Sequence, residues 1–261
     1  MLKAASLLIL FAAIGSCGKS DDDSTSNTLR TYEEIESDFQ QFEYEAGTQD
    51  LSLQITEDLT YHFRVIIPDV DLTTDLPMIM ALHYAAPGDP NIHKETACYI
   101  EPGLAALDAI IISPNGGVDN WGAIDNQDKV RILTDLSTRF WPVNTDQVAV
   151  VGYSNGGNGT WFYTETQPGT FSAGIAMASY YNPYTPQGTV REMPTPLYVI
   201  HGTADELFPI DTVQAWVEAT QAVGSEIEFV KAPDFSHYEA CRYVPYLQEA
   251  VEWLKNDIWG P

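Results

Sequence analysis

The sequence predicts an α/β domain built on a doubly wound, mostly parallel sheet, and three observations carry that prediction. Five short apolar runs, at residues 78–82, 109–112, 148–151, 175–178 and 197–200, lack polar alternation. Such runs suit strands buried on both faces of a parallel sheet. Stretches with helical spacing, at residues 104–107, 130–140, 212–221 and 246–254, lie between and after them. Strand-then-helix repetition implies right-handed crossovers and helices on both faces of the sheet. Ahead of these, residues 51–55 and 61–67 alternate apolar and polar side chains around Glu57-Asp58. That pattern predicts an N-terminal antiparallel hairpin. A further strand is expected at residues 226–230, and no insertion is long enough to suggest a large lid domain.

A chain of 261 residues with 44% hydrophobic composition can bury one sizeable core and carry a short appendage. The 37 acidic residues against 12 basic ones give a formal net charge of −25, spread along the whole chain. A surface this acidic repels phosphate backbones and argues against a nucleic-acid partner.

The first residues read as an export signal. Lys3 precedes an apolar segment at residues 7–14, too short to span a bilayer as a helix. It runs into Ile14-Gly15-Ser16-Cys17, an aliphatic residue, two small ones and a cysteine. This resembles the lipobox of bacterial lipoproteins, which implies cleavage before Cys17 and a lipid on its sulfur. The following Gly18-Lys19-Ser20-Asp21-Asp22-Asp23 cannot bury apolar surface and reads as a flexible tether. A lysine followed by an acidic run also resembles the surface-export signal of Bacteroidetes lipoproteins. The expected organisation is a signal peptide over 1–16, a lipidated and acidic tether over 17–49, and one domain over 50–258. The expected location is the bacterial outer membrane, on its periplasmic or outer face, held by the lipid on Cys17.

Chemistry is concentrated at Val148-Ala149-Val150-Val151-Gly152-Tyr153-Ser154-Asn155-Gly156, a G-x-S-x-G motif between a predicted strand and a predicted helix. A sharp turn there would push Ser154 into the mouth above the strand ends, and Gly152 and Gly156 would leave room for the backbone. The helix starting at Asn155 would aim amide groups and its positive end at the same point. A protonated serine hydroxyl is barely nucleophilic and needs a base. Of His62, His83, His93, His201 and His237, only His237 leaves room for an acid between it and the serine. The acid is expected at Asp205, in the loop after the run ending His201-Gly202, with Glu206 and Asp211 as fallbacks. His201 would pack the turn, His62 would be half-buried in its strand, and His93 would be solvated.

These segments resemble the esterase branch of the α/β-hydrolase superfamily, which includes carboxylesterases, feruloyl and acetyl-xylan esterases, polyhydroxybutyrate depolymerase-like and dienelactone hydrolase-like enzymes. The resemblance rests on Gly152-Tyr153-Ser154-Asn155-Gly156-Gly157, His201-Gly202-Thr203-Ala204-Asp205 and Ser236-His237, and covers roughly residues 50–256. It implies a Ser154, Asp205 and His237 triad, hydrolysis of a small or polymer-linked ester through an acyl-enzyme, and no metal or organic cofactor. Members usually carry His-Gly after the third strand, where this chain has His83-Tyr84. The oxyanion donors are therefore expected to be the amide of Asn155 and that of Tyr84 or Ala85, with the Tyr84 hydroxyl as an alternative donor. Trp121, Tyr180, Tyr181 and Tyr238 are candidate rim aromatics for a sugar or phenolic ring. A serine peptidase with the same triad, or a non-catalytic binding lipoprotein on the same fold, is the competing reading.

The resemblance also places Cys98 and Cys241 on the same rim, one after the oxyanion loop and the other four residues beyond His237. With Cys17 taken by lipid, an even pair remains in an oxidising compartment, so a disulfide between Cys98 and Cys241 is expected.

Overall fold

The computed structural model describes residues 30–86 and 88–260, so the export segment, the acidic run and Cys17 lie outside the described residues. Eight strands form one sheet in the order β1-β2-β4-β3-β5-β6-β7-β8. They are β1 (Gly47–Gln54), β2 (Thr60–Ile67), β3 (Leu76–Leu82), β4 (Ile110–Pro114), β5 (Val143–Tyr153), β6 (Ala173–Met177), β7 (Leu197–Gly202) and β8 (Ile227–Ala232). β1 and β2 form the expected hairpin, with Leu53 opposite Tyr61, and β2 also runs antiparallel to β4. All pairings from β4 through β3, β5, β6 and β7 to β8 are parallel.

Six helices cover the faces: α1 (Tyr32–Phe39), α2 (Ala97–Leu104), α3 (Ile124–Phe140), α4 (Asn155–Thr166), α5 (Ile210–Ala222) and α6 (Val244–Trp253). The pleat sends successive side chains to opposite faces. Met78, Met80 and Leu82 of β3 join Val130, Leu133 and Leu136 of α3 in one core. Ile79 and Ala81, between them in the chain, face Tyr99 and Ile100 of α2 and Leu247 and Val251 of α6. A smaller core packs Val199 and Ile227 against Val213 and Val217 of α5. Central strands buried on both sides therefore read as unbroken apolar runs, as their sequences do.

Within the segment expected as tether, α1 and the start of β1 are ordered and packed on the domain. Thr31 and Glu34 form a reciprocal capping box at the start of α1. Ile35 and Phe39, one turn apart, share a buried face, and Phe39 lies fully buried 4.8 Å from the Trp141 ring. Burying one such side chain is worth about 1.5–3 kcal/mol. The surrounding glutamates and glutamines hide this face in any composition average.

Candidate active site

β5 delivers Ser154 at the C-terminal edge of the sheet, and α4 begins at the next residue. Ser154 takes φ 55° and ψ −117°, a conformation that non-glycine residues rarely adopt and that thrusts its side chain outward. Two glycines make the turn possible. A Cβ on Gly152 would collide with the Gly156 carbonyl, and one on Gly156 would collide with the carbonyl of Leu82.

The Ser154 Oγ stands 2.8 Å from Nε2 of His237, which rides on the loop between β8 and α6. On the far side of the ring, His237 Nδ1 lies 2.9 Å from Oδ2 of Asp205, in the loop after β7. All three side chains are buried. The other Asp205 oxygen accepts the amides of Leu207 at 2.9 Å and Phe208 at 2.7 Å, which fixes the carboxylate plane. Burial by itself would raise the Asp205 carboxyl. The hydrogen bonds from His237 and Phe208 outweigh it and hold the group below its ordinary range.

His201 packs beneath this acid. It is fully buried, with Nε2 2.8 Å from the Phe208 carbonyl, and burial pushes its pKa down. A neutral ring donating from Nε2 to that carbonyl holds the turn carrying Asp205. His83 does the same for the opposite loop. Its Nδ1–H donates to the Tyr84 carbonyl at 2.6 Å, and its Nε2 accepts the Gly116 amide at 2.8 Å. Burial lowers His83 to about 4, consistent with that neutral tautomer. Among the described residues, neither the Tyr84 nor the Asn155 amide donates to a protein acceptor.

Two supports of His237 were not legible as such in the sequence. The Tyr153 hydroxyl donates to the His237 carbonyl at 2.6 Å, and Glu206 Oε2 accepts the His237 amide at 3.0 Å. The backbone of the base is therefore gripped from both sides. The sequence offers Glu206 only as a fallback acid, through its adjacency to Asp205. Asp211 lies in the first turn of α5.

The rim aromatics separate. Tyr238 is exposed and lines the cavity beside Ser154. Trp121 does not belong to the rim: it is fully buried, donates Nε1–H to the His83 carbonyl at 2.9 Å, and packs edge-on to the His83 ring. Its indole fills the space that Gly116 and Gly159 leave open. Tyr181 stacks on Trp161 and donates its hydroxyl to Glu165, which removes it from the mouth. Tyr180 stacks on Phe208, whose ring meets His237 edge-on, so it stands one layer behind the base. His93 is buried rather than solvated, and His62 is exposed, bonded to Ser52 Oγ at 2.8 Å.

A cavity of about 570 Å³ opens beside Ser154, walled by Tyr84, Tyr153, Leu207, Tyr238 and the pair Cys98 and Cys241. That pair forms the expected disulfide, with Cα atoms 5.4 Å apart. It ties α2 to the turn before α6 across 143 residues of sequence. Closing so long a loop stabilises a domain by about 2–5 kcal/mol.

The sequence profile of the dienelactone hydrolase family matches residues 119–258, which include the elbow, the acid and the histidine. The chain belongs to the dienelactone hydrolase family. A protein of Methylorubrum extorquens named only provisionally as a carboxymethylenebutenolidase, 27% identical over 126 residues, is similar to 44% of the chain. The similarity spans 43% of that relative, less than half its length. The fold resembles that of a thermostable esterase, at 16% identity and a TM-score of 0.65 over 79% of this chain and 62% of that one. It also resembles FphF, a fluorophosphonate-binding serine hydrolase of Staphylococcus aureus, at 15% identity and a TM-score of 0.64 over 82% of this chain and all of that one. The family match and the likeness of these folds agree on an α/β-hydrolase.

Proposed function

We propose that this dienelactone hydrolase family member cleaves a carboxylic ester through an acyl-enzyme, with Ser154 as nucleophile, His237 as base and Asp205 as its orienting acid. The observation that carries the reading is the continuous hydrogen-bonded chain from Ser154 through His237 to Asp205, at an elbow that opens on an apolar cavity. His237 Nε2 takes the serine proton as Oγ attacks the ester carbonyl. Asp205 keeps the proton on Nδ1 and stabilises the imidazolium that forms. The Asn155 and Tyr84 amides bind the oxyanion, assisted by the positive end of α4. His237 then returns the proton to the departing alcohol, and a water activated the same way releases the acid. The hydroxyl of Tyr84, a residue that lines the cavity, is the alternative donor to its amide.

The proposal predicts a single-proton acid limb. A neutral imidazole is needed for the attack, so kcat/KM measured between about pH 8 and 5 falls toward the acid side. Asp205, held below the ordinary carboxylate range, stays charged through that window and adds no second ionisation. Rates on a panel of short-chain and sugar esters, with matched amides, test both parts. A flat profile over that window contradicts a histidine base, and faster cleavage of the amides makes the protein a peptidase.

We further propose that Cys17 carries a lipid and anchors the protein to the outer membrane, from the lipobox-like Ile14-Gly15-Ser16-Cys17. Cys17→Ala is expected to block incorporation of labelled fatty acid and, where the signal is still removed, to yield a soluble protein. Firm membrane attachment of that processed variant would show another anchor.

A further inference from the structure

The cavity beside Ser154 has little to offer an anion. Its walls are rings, small side chains and the disulfide, and among the described residues lining it Arg242 is the one permanently cationic group. One N–H of that guanidinium is engaged in a partly exposed ion pair. Nη1 donates to Oε1 of Glu239 at 2.6 Å, and the group lies 4.1 Å from the centre of the Phe235 ring. Glu239 is itself anchored, because its other oxygen accepts the Ser236 amide at 2.8 Å. The pair is thus fixed to the histidine loop and contributes no net charge. Further carboxylates lie near the residues that line the cavity. Glu206 holds the His237 amide, and Glu95 and Asp89 lie close enough to add to the effect of burial in raising the Tyr84 hydroxyl. The whole chain carries −25.

We infer that the site selects uncharged esters and discriminates against esters whose acyl group ends in a carboxylate, because Glu239 already offsets the charge of the cation that would receive it. The inference rests on the esterase reading and adds the charge of the substrate to it. A carboxylate entering the cavity loses hydration, meets a cation whose charge Glu239 already offsets, and approaches like charges that each add a modest repulsion. The family relative's printed name points to a lactone bearing a carboxymethylene group, so this member is expected to depart from it in substrate charge.

Two nearly isosteric substrates test the idea: para-nitrophenyl hexanoate, and the mono-para-nitrophenyl ester of adipic acid, in which a carboxylate replaces the terminal methyl. On the wild-type chain, kcat/KM is expected to favour the hexanoate by about tenfold or more, and added salt should narrow the gap. Glu239→Gln keeps an acceptor for the Ser236 amide but releases Arg242, so the ratio should move toward the adipate ester by about threefold or more. Arg242→Gln leaves Glu239 uncompensated and should move the ratio the other way. The readout is the ratio, so a general loss of rate in either variant does not affect it. Equal rates on the two esters with wild-type protein overturn the inference, as does an unchanged ratio in Glu239→Gln. Hydrolysis of neither ester overturns the esterase reading itself, and the charge preference with it.

Discussion

Replacing Ser154 by alanine is expected to lower kcat by about four orders of magnitude or more while leaving the fold intact. The two consequences separate because the elbow and the nucleophile are built from different groups. The turn is held by Gly152 and Gly156, by the Ser154 amide bonded to the Met177 carbonyl at 2.9 Å, and by the first turn of α4. None of these involves the hydroxyl. Alanine also lacks the branching at Cβ that would make the positive φ harder to hold. Turnover of an ester substrate, read beside a thermal unfolding curve, checks both halves. A variant that retains more than about a tenth of the wild-type kcat would place the chemistry elsewhere.

Asp205→Asn is expected to cost a comparable factor, about 10⁴-fold in kcat, through the tautomer of the histidine. In the native site one carboxylate oxygen accepts the Leu207 and Phe208 amides, and the other accepts from His237 Nδ1. An asparagine in the same plane must keep its oxygen toward the two amides. Its NH₂ then faces His237 and donates to Nδ1, which moves the imidazole proton to Nε2. That nitrogen would present a proton to Ser154 rather than a lone pair, and it cannot act as base. Steady-state kinetics across pH on the variant checks this. A loss below about tenfold would shift the acid's role to Glu206, whose carboxylate already touches the His237 backbone.

The parts of the molecule that were legible in the sequence are those written in contiguous residues. β3, β5, β6 and β7 are buried on both faces, so their apolar runs identify them without any partner in view. The elbow is readable because its geometry forces glycine at two fixed offsets from the serine. The acid and the histidine follow from their position after β7 and β8. What stayed hidden depends on segments distant in sequence meeting in space. Trp121 looks like a rim aromatic because a polar loop follows it. Only the fold shows the indole drawn inward by the His83 carbonyl and by the space above Gly116 and Gly159. The grip of Tyr153 and Glu206 on the His237 backbone crosses 84 and 31 residues, and no local pattern encodes it. The docking of α1 stayed hidden for a different reason, since two buried side chains in a strongly polar segment are enough to seat a short helix on the core.

The central claim is that Ser154 is a nucleophile activated by His237, and covalent labelling tests it most directly. The protein is incubated with a fluorophosphonate probe near neutral pH, digested, and the adduct located by mass spectrometry. The account predicts one adduct, on Ser154, that forms more slowly as pH falls and is absent from Ser154→Ala. An adduct on another residue, or a folded protein that takes up no probe, would contradict it.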